Sequence, residues 1–445
     1  MLNFRECAAD PGAAHILSLV SRLTIVTDAA LDAPLCALRD TAAAILSADV
    51  PAALDAHHRL CRALLLSPAR RVSGDLFLDH LLYLVLETPH PFASFAALGR
   101  MEEAHRIAMR ADLHILGTLS TLKSGDLYRM LAENVRAALR PRSKKDNISE
   151  MSSALWSGGP MPKPKKEEPA PPPAFFFPLP AESEWLPFEY GEMGLRDSYV
   201  SDEALEEVYV RLLGSSDWRS LCDDIWNFFA SYGTAPFLKG RLFHVKQGQV
   251  LSLAESDTRY CPFTCQEQQR SALIDHVIRF MRGETAEPIL LAGDTGLGKT
   301  ATVFNLAEEL PELRLVLLAR DAQYDAAALL SALASQPLRF LLLLDDADFS
   351  SPSAAALLAC RARGAFPANV LLAATCREPS PAIANTLHFT APRIDEFAQM
   401  VEELLSQCGT QIDRAAVRNA AVDHQVDARD RLTVTAALFL ADSLR

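Results

Sequence analysis

Over residues 1 to about 140, apolar positions recur at helical spacing among many Ala, Leu and Arg residues. In "MEEAHRIAMRADLHIL" the positions Ala104, Ile107, Ala108, Ala111 and Ile115 share one face. The stretch predicts an all-helical N-terminal domain, 1–140, with no clear repeat period. At Pro141 the pattern stops. "PRSKKDNISEMSSALWSGGPMPKPKKEEPAPPPAFFFPLP" mixes Lys, Pro and Ser, and Pro171 to Pro173 would break any helix. Residues 141–196 are therefore expected to be a Pro/Lys-rich linker, mobile to about residue 180. "AFFFPLP" is too apolar to be solvated comfortably. It is expected to pack as a strap on its own domain, the alternative being a motif that binds a partner.

Helical periodicity returns over 200–232, with Trp218 and Trp226 among apolar positions. "RLFHVKQGQVLSL" then alternates around Gln247 and Gly248, which predicts a β-hairpin covering an edge of the next domain. From there strands and helices alternate. Strands are expected at 288–292, 314–319, 340–344, 369–375 and 386–391, with helices over 300–310, 325–335 and 353–363. That order predicts a five-stranded parallel α/β sheet with helices on both faces. From Arg393 only helical periodicity remains, as in a small helical lid. The expected segments are 197–255 joining the core, the α/β core at 256–392, and the lid at 393–445.

The chain has 445 residues, 49% of them hydrophobic, enough to bury the cores of two or three domains. Its formal net charge of -13 argues against nonspecific attraction to nucleic acid or anionic membranes. The N-terminus lacks the basic start and apolar core of a signal peptide, and no run of 18 apolar residues occurs. A cytoplasmic location is expected. Nine scattered cysteines fit reduced thiols, and the close pair Cys261 and Cys265 lacks the further ligands of a zinc site.

Directly after the first expected strand stands "GDTGLGKT", the complete pattern G-x-x-x-x-G-K-[ST]. Gly293, Gly296 and Gly298 let the backbone fold tightly, so that N–H groups of Asp294, Thr295, Leu297, Thr300 and Ala301 can meet phosphate oxygens. Lys299 is placed to reach the β and γ phosphates of ATP, and Thr300 to ligate Mg²⁺. Lys299 is also the single lysine among residues 251–445, where arginine is the ordinary cation. A lysine persists where a compact charge on a flexible stem is needed. "RFLLLLDDADF" supplies the acidic half of the site. The apolar run reads as a central parallel strand. Asp345 is expected to hold Mg²⁺ beside Thr300, and Asp346 to orient the attacking water, with Asp348 as a weaker substitute or a cap of the next helix.

In the order of Lys299, Asp345 with Asp346, a polar-ended fourth strand and a helical C-terminus, the chain resembles the AAA+ P-loop ATPases. More narrowly it resembles a bacterial family known as domain of unknown function 815. "FFASYGTAPFLKGRLF", "QEQQRSALIDHVIRFMRG", "RFLLLLDDADF" and "FPANVLLAAT" carry that likeness over about 200–445. The resemblance implies ATP, Mg²⁺ and a homo-oligomer in which a neighbour completes each site. It further implies that Gln269 and Arg270 lie near the base. An Asp-Asp pair is usual in the narrower family. Three departures bear on hydrolysis. Cys376 stands where the family has a sensing asparagine, leaving Thr375 as a weaker polar sensor. Only "CREPSPAIAN" precedes the fifth strand, so Arg377 is the sole cation available as a finger. In the lid, Arg429 and Arg431 both offer a contact to nucleotide. For Arg377, Arg393, Arg429 and Arg431 the alternative is solvated surface charge.

Two functions follow. One is an ATPase whose lid moves against the sheet while the helical N-terminal domain holds a protein client. The other is a nucleotide-dependent switch or adaptor with negligible turnover. A nucleic-acid remodeller of the helicase-loader kind rests on broad analogy. The acidic balance opposes it, and the lysines at 144, 145, 163, 165 and 166 are followed at once by Glu167 and Glu168.

Overall fold

The computed structural model describes residues 12–27, 31–100, 102–139, 178–190, 203–253, 266–284, 287–407, 409–410, 413–428 and 432–444. The chain divides into two compact units. One comprises Met1–Phe92, Met101–Val200 and Glu206–Ile225, the other Ala93–Arg100, Ser201–Leu205 and Trp226–Arg445. No described helix is long and apolar enough to cross a membrane.

The first unit is helical, as its periodicity predicts. Its helices include α1 (Ala13–Val20), α2 (Ala33–Leu46), α3 (Val50–Leu66), α4 (Leu76–Leu86), α6 (Glu103–Leu119) and α7 (Ser124–Leu139), with α5 (Pro91–Ala97) at the division. Asp32, Asp49 and Asp75 cap α2, α3 and α4 by accepting from backbone N–H groups of the first turn. The buried face of α6 keeps Ile115 of the expected positions, while Ala104, Ile107 and Ala111 are exposed. Met109, Leu113, Leu116 and Leu119 face the core, whereas Ile107 is 61% exposed. Asp112 lies on that inner face as well. Its buried carboxylate accepts from the N–H groups of Thr24, Ile25 and Val26 at 2.7 to 3.0 Å, so a residue that reads as polar surface anchors the inner face.

Two segments differ from the expected grouping. Residues 178–190, assigned above to the linker, pack on the first unit. Trp185 stacks on His57 with centroids 4.0 Å apart and donates to the Ser124 carbonyl, and Leu186 O accepts from His57 and Ser124. Of "AFFFPLP", residues 174–177 lie outside the described residues, and the Pro180 carbonyl accepts from Tyr128. Glu206–Ile225 also belongs to this unit, not to the second. Tyr209, on α8 (Glu203–Gly214), donates to the buried Glu87, and Trp218 lies against Gly117, where an added Cβ would come within 3.1 Å of its ring. The next helix, α9 (Cys222–Tyr232), crosses the division.

The second unit is built on β1 (Leu242–Lys246), β2 (Gln249–Ser252), β3 (Ile289–Ala292), β4 (Leu313–Leu318), β5 (Arg339–Leu344), β6 (Val370–Cys376) and β7 (Asn385–His388). The sheet has seven strands, not five, in the order β2-β1-β4-β5-β6-β3-β7. The expected hairpin forms, turning on Gln247 and Gly248 with φ of 50° and 77°. It does more than cover an edge: β1 pairs in parallel with β4 and so extends the sheet. The five strands from β3 to β7 are parallel. On β5, Phe340, Leu342 and Leu344 meet α12 (Ala326–Ala334) and α13 (Pro352–Ala362), while Leu341 and Leu343 meet α10 (Glu267–Met281) and α11 (Lys299–Glu309). A strand buried on both faces requires the unbroken apolar run seen in the sequence.

The C-terminal residues form α14 (Ile394–Gln407), α15 (Arg414–Ala428) and α16 (Val434–Ser443) around Phe397, Met400, Val401, Leu405, Val417 and Ala437. Ala301 of α11 packs against this cluster.

Among the described cysteines, Cys61, Cys222, Cys360 and Cys376 are free thiols. Cys7, Cys261, Cys265 and Cys408 lie outside the described residues, as do the lysines of the basic cluster.

Candidate nucleotide site

Strand register assembles the site at the C-terminal ends of β3 to β6. Leu318 pairs with Leu344, Leu344 with Ala374, and Ala292 with Cys376. One step past β5 therefore brings Asp345 beside Thr375, and the residue after β3, Gly293, leaves the sheet beside Cys376. Ligands of open α/β sheets bind at this end of the strands.

The loop between β3 and α11 is the expected "GDTGLGKT". Two of its glycines are required by what surrounds them. Gly293 has φ 155°, and a Cβ there would lie 2.4 Å from the Phe389 carbonyl oxygen. Gly296 has φ 82°, with Thr433 and Thr435 about it. The Gly296 carbonyl accepts from the N–H groups of Val434 at 2.9 Å and Thr435 at 3.3 Å, so the first turn of α16 is joined to the loop by its own unfilled donors. Leu297 is buried in the core and pins the loop, Asp294 and Thr295 are exposed, and Gly298 caps α11 with φ 83°.

Lys299 Nζ donates to the carbonyls of Gly293 and Asp294, both at 2.8 Å. Burial holds its ammonium below the ordinary value of 10.5, and Arg377 lowers it further, opposed by Cys376, Asp345 and Asp346. An anion here would relieve a cost already present. Thr300 Oγ1 donates to Asp345 Oδ1 at 2.5 Å. The same oxygen accepts from Thr375 Oγ1 at 2.8 Å, and Thr375 Oγ1 in turn accepts from the Asp346 N–H at 2.8 Å. Asp346 has φ 47°, which turns its carboxylate out of the strand, and Arg320 Nη1 meets it at 3.0 Å.

The remaining predicted residues fall elsewhere. Thr375 is 2% exposed and is spent on the two aspartates. Cys376 donates to Glu378 O at 2.7 Å, and burial raises its thiol pKa. Arg377 is exposed. Gln269 donates to the His388 carbonyl at the end of β7. Arg270 pairs with Glu309, at the opposite end of α11 from Lys299. Asp348 does not cap α13. Ser351 does, by accepting from the Ala354 N–H, while the Asp348 carboxylate takes the N–H and hydroxyl of Ser350, which lower its pKa. Arg393 pairs with Glu396. Arg429 and Arg431 lie outside the described residues. The sequence reading missed Arg320, although the signal was present: it stands two residues past β4, as Asp346 stands two past β5, and those strands are paired neighbours.

Residues 245–378 match the family model described as protein of unknown function (DUF815). The chain resembles that family. The match runs from the hairpin through the phosphate loop and acidic pair to the end of β6, the stretch that holds the network just described. No curated protein matches the chain. Among solved structures it is similar to the Thermotoga maritima RuvB Holliday junction branch migration motor, at 19% identity over 40% of this chain and 69% of that one, with a TM-score of 0.30. It is also similar to Cdc6p from Pyrobaculum aerophilum, at 16% identity over 38% and 58% with a TM-score of 0.31. For PCH-2 of C. elegans the identity is 14% over 42% and 70%, with a TM-score of 0.27. Likenesses at these scores carry no argument about this chain.

Proposed function

We propose that the second unit is an AAA+ type ATP-binding domain that hydrolyses ATP with Mg²⁺ and couples the nucleotide state to movement of α14 to α16 as a lid. The observation that carries this reading is the shared oxygen of Asp345, which joins the hydroxyl of Thr300 at the head of α11 to that of Thr375 on β6. One hydroxyl and one carboxylate oxygen at 2.5 Å form a hard oxygen pair of the kind that holds Mg²⁺ alongside phosphates and water. Bound there, Mg²⁺ would neutralise charge on the transferring phosphoryl group. Lys299 would leave the carbonyls of Gly293 and Asp294 for phosphate oxygens, and Asp346 would orient the attacking water. The joint between Gly296 and the first turn of α16 supports a lid that responds to the loop. Release of phosphate by the wild type, lost in Lys299→Ala and Asp346→Asn, is expected. Equal release from all three would defeat the assignment.

A second reading, a nucleotide-dependent switch with negligible turnover, is favoured by the engagement of Asp346 with Arg320 and by Cys376 at the sensor position. Tight ATP binding without repeated turnover would decide for it. Under either reading the proposed partners are a second copy of the chain and a protein client held by the N-terminal helical domain, in the cytoplasm. Particle mass with and without ATP tests the first partner.

A further inference from the structure

We propose that the N-terminal helical unit carries an esterase-type site of its own, in which Ser67 is the nucleophile, His80 the base and Asp32 the residue that orients the base. This goes beyond the nucleotide reading and does not depend on it. Ser67 Oγ lies 2.9 Å from His80 Nδ1, and His80 Nε2 lies 3.1 Å from both carboxylate oxygens of Asp32. A carboxylate only accepts, so Nε2 carries the proton and Nδ1 is left to take the Ser67 hydroxyl proton. The Ala69 N–H donates to Ser67 Oγ at 3.3 Å, which turns the hydroxyl hydrogen toward His80. His80 is 3% exposed, whereas Ser67 is half-buried. A nucleophile, a base within reach of it and a third group orienting the base are the recurrent signature of an activated hydroxyl.

All three line a cavity of about 420 Å³, within the range of small-molecule sites. Its wall is one face of α3, where Arg59, Arg62, Ala63 and Leu66 follow at helical spacing, completed by Pro34 and Tyr83. This apolar lining suits a short acyl chain. Arg59 is paired with Asp40 and Asp55, both at 3.2 Å, so Arg62 is the lining cation assigned to negative charge on a carbonyl oxygen. The substrate class is a small carboxylic ester with an apolar acyl group. Ser67 Oγ bonds to the carbonyl carbon as its proton passes to His80 Nδ1. The bond from that carbon to the alcohol oxygen then breaks, and the alcohol leaves with the proton. Water repeats the two steps, releasing the acid and restoring Ser67. Asp32 also accepts from the Leu35 N–H and so caps α2, which fixes the orienting carboxylate.

The test uses the full chain with 4-nitrophenyl butyrate, and a fluorophosphonate label read by mass. One adduct at Ser67 is expected, lost in Ser67→Ala together with a drop in kcat/KM on the order of 10³-fold. Arg62→Ala, a change at an exposed position, should lower kcat about tenfold with KM little changed. Lys299→Ala should leave ester turnover intact, which separates this site from the nucleotide site. Absence of an adduct on the wild type, or ester turnover in Ser67→Ala and Arg62→Ala equal to that of the wild type, would overturn the proposal and reduce the trio to a tie between α2, the end of α3 and α4.

Discussion

Thr375→Val tests whether the hydroxyl on β6 positions the acidic pair or reads the phosphate. The side chain is 2% exposed, and its two hydrogen bonds are both 2.8 Å long. Valine keeps the branched shape and strand preference, so no cavity opens and only the hydroxyl is lost. Asp345 keeps the Thr300 donor but loses one bond to a charged oxygen, about 1.5–3 kcal/mol, while the Asp346 N–H loses this acceptor at about 1–3 kcal/mol. The added methyl returns roughly 0.8 kcal/mol, leaving a net loss of about 2–5 kcal/mol in the second unit. At roughly 2–4 °C per kcal/mol for a unit of this size, the second unit's thermal transition should fall by about 4–20 °C. Thr375→Ser should recover most of it. Scanning calorimetry without nucleotide resolves the transition, and magnesium-dependent ATP binding in the same variants shows whether Asp345 is still held. A transition within about 1 °C of wild type, with phosphate release nonetheless lost, would refute the reasoning and return Thr375 to the role of sensor.

Gly293→Ala places a Cβ 2.4 Å from the Phe389 carbonyl at a φ of 155°, so it should cost at least about 2 kcal/mol and abolish ATP binding, measured by calorimetry and titration. The half-buried Lys299 ammonium has its pKa lowered, so near pH 10 the unfolded state binds more protons than the folded one and apo stability rises with pH. Lys299→Met should lack that rise, and the difference between the two denaturation profiles reads it directly. His57 and His90 are pushed down from 6.5 to about 4 by burial. Their neutral forms are favoured in the fold, so the first unit should lose stability as pH falls from 6.5 toward 4, by up to about 3 kcal/mol per histidine, with His57→Gln removing part of the pH slope. For Arg320 and Asp346, both more than half exposed, Arg320→Ala should change stability by less than about 1 kcal/mol. Phosphate release by that variant should rise if the pair restrains Asp346, and an unchanged rate would show that it does not.

Much of the second unit was legible because its signals are local. A glycine-rich turn after an apolar strand, and two aspartates after another, declare themselves within ten residues, and the strand periods place both at one end of a parallel sheet. What escaped depends on pairing between distant strands. The hairpin was visible, but its parallel pairing with β4 was not, because nothing in "RLFHVK" encodes which edge it joins. Arg320 was passed over for the same reason, since its offset from β4 matters only once that strand is known to neighbour β5.

In the first unit the obstacle was chemical. A helix's inner face is read from apolar spacing, and Asp112 breaks that rule by serving as a buried acceptor for three backbone N–H groups. His57 breaks the rule as a donor, stacked on Trp185 and donating from Nε2 to Leu186 O of a segment whose composition reads as linker. Polar residues that satisfy a distant backbone look identical in sequence to solvated ones. The same reasoning separates the two groups of arginines. Arg320 was placed by strand register, a geometric constraint. Arg377 and Arg393 lie in loops, where neither strand register nor helical spacing fixes the direction of a side chain. A resemblance could suggest a role for those two only by analogy, and the fold sets Arg377 beside Lys299 as an electrostatic neighbour while tying Arg393 to Glu396.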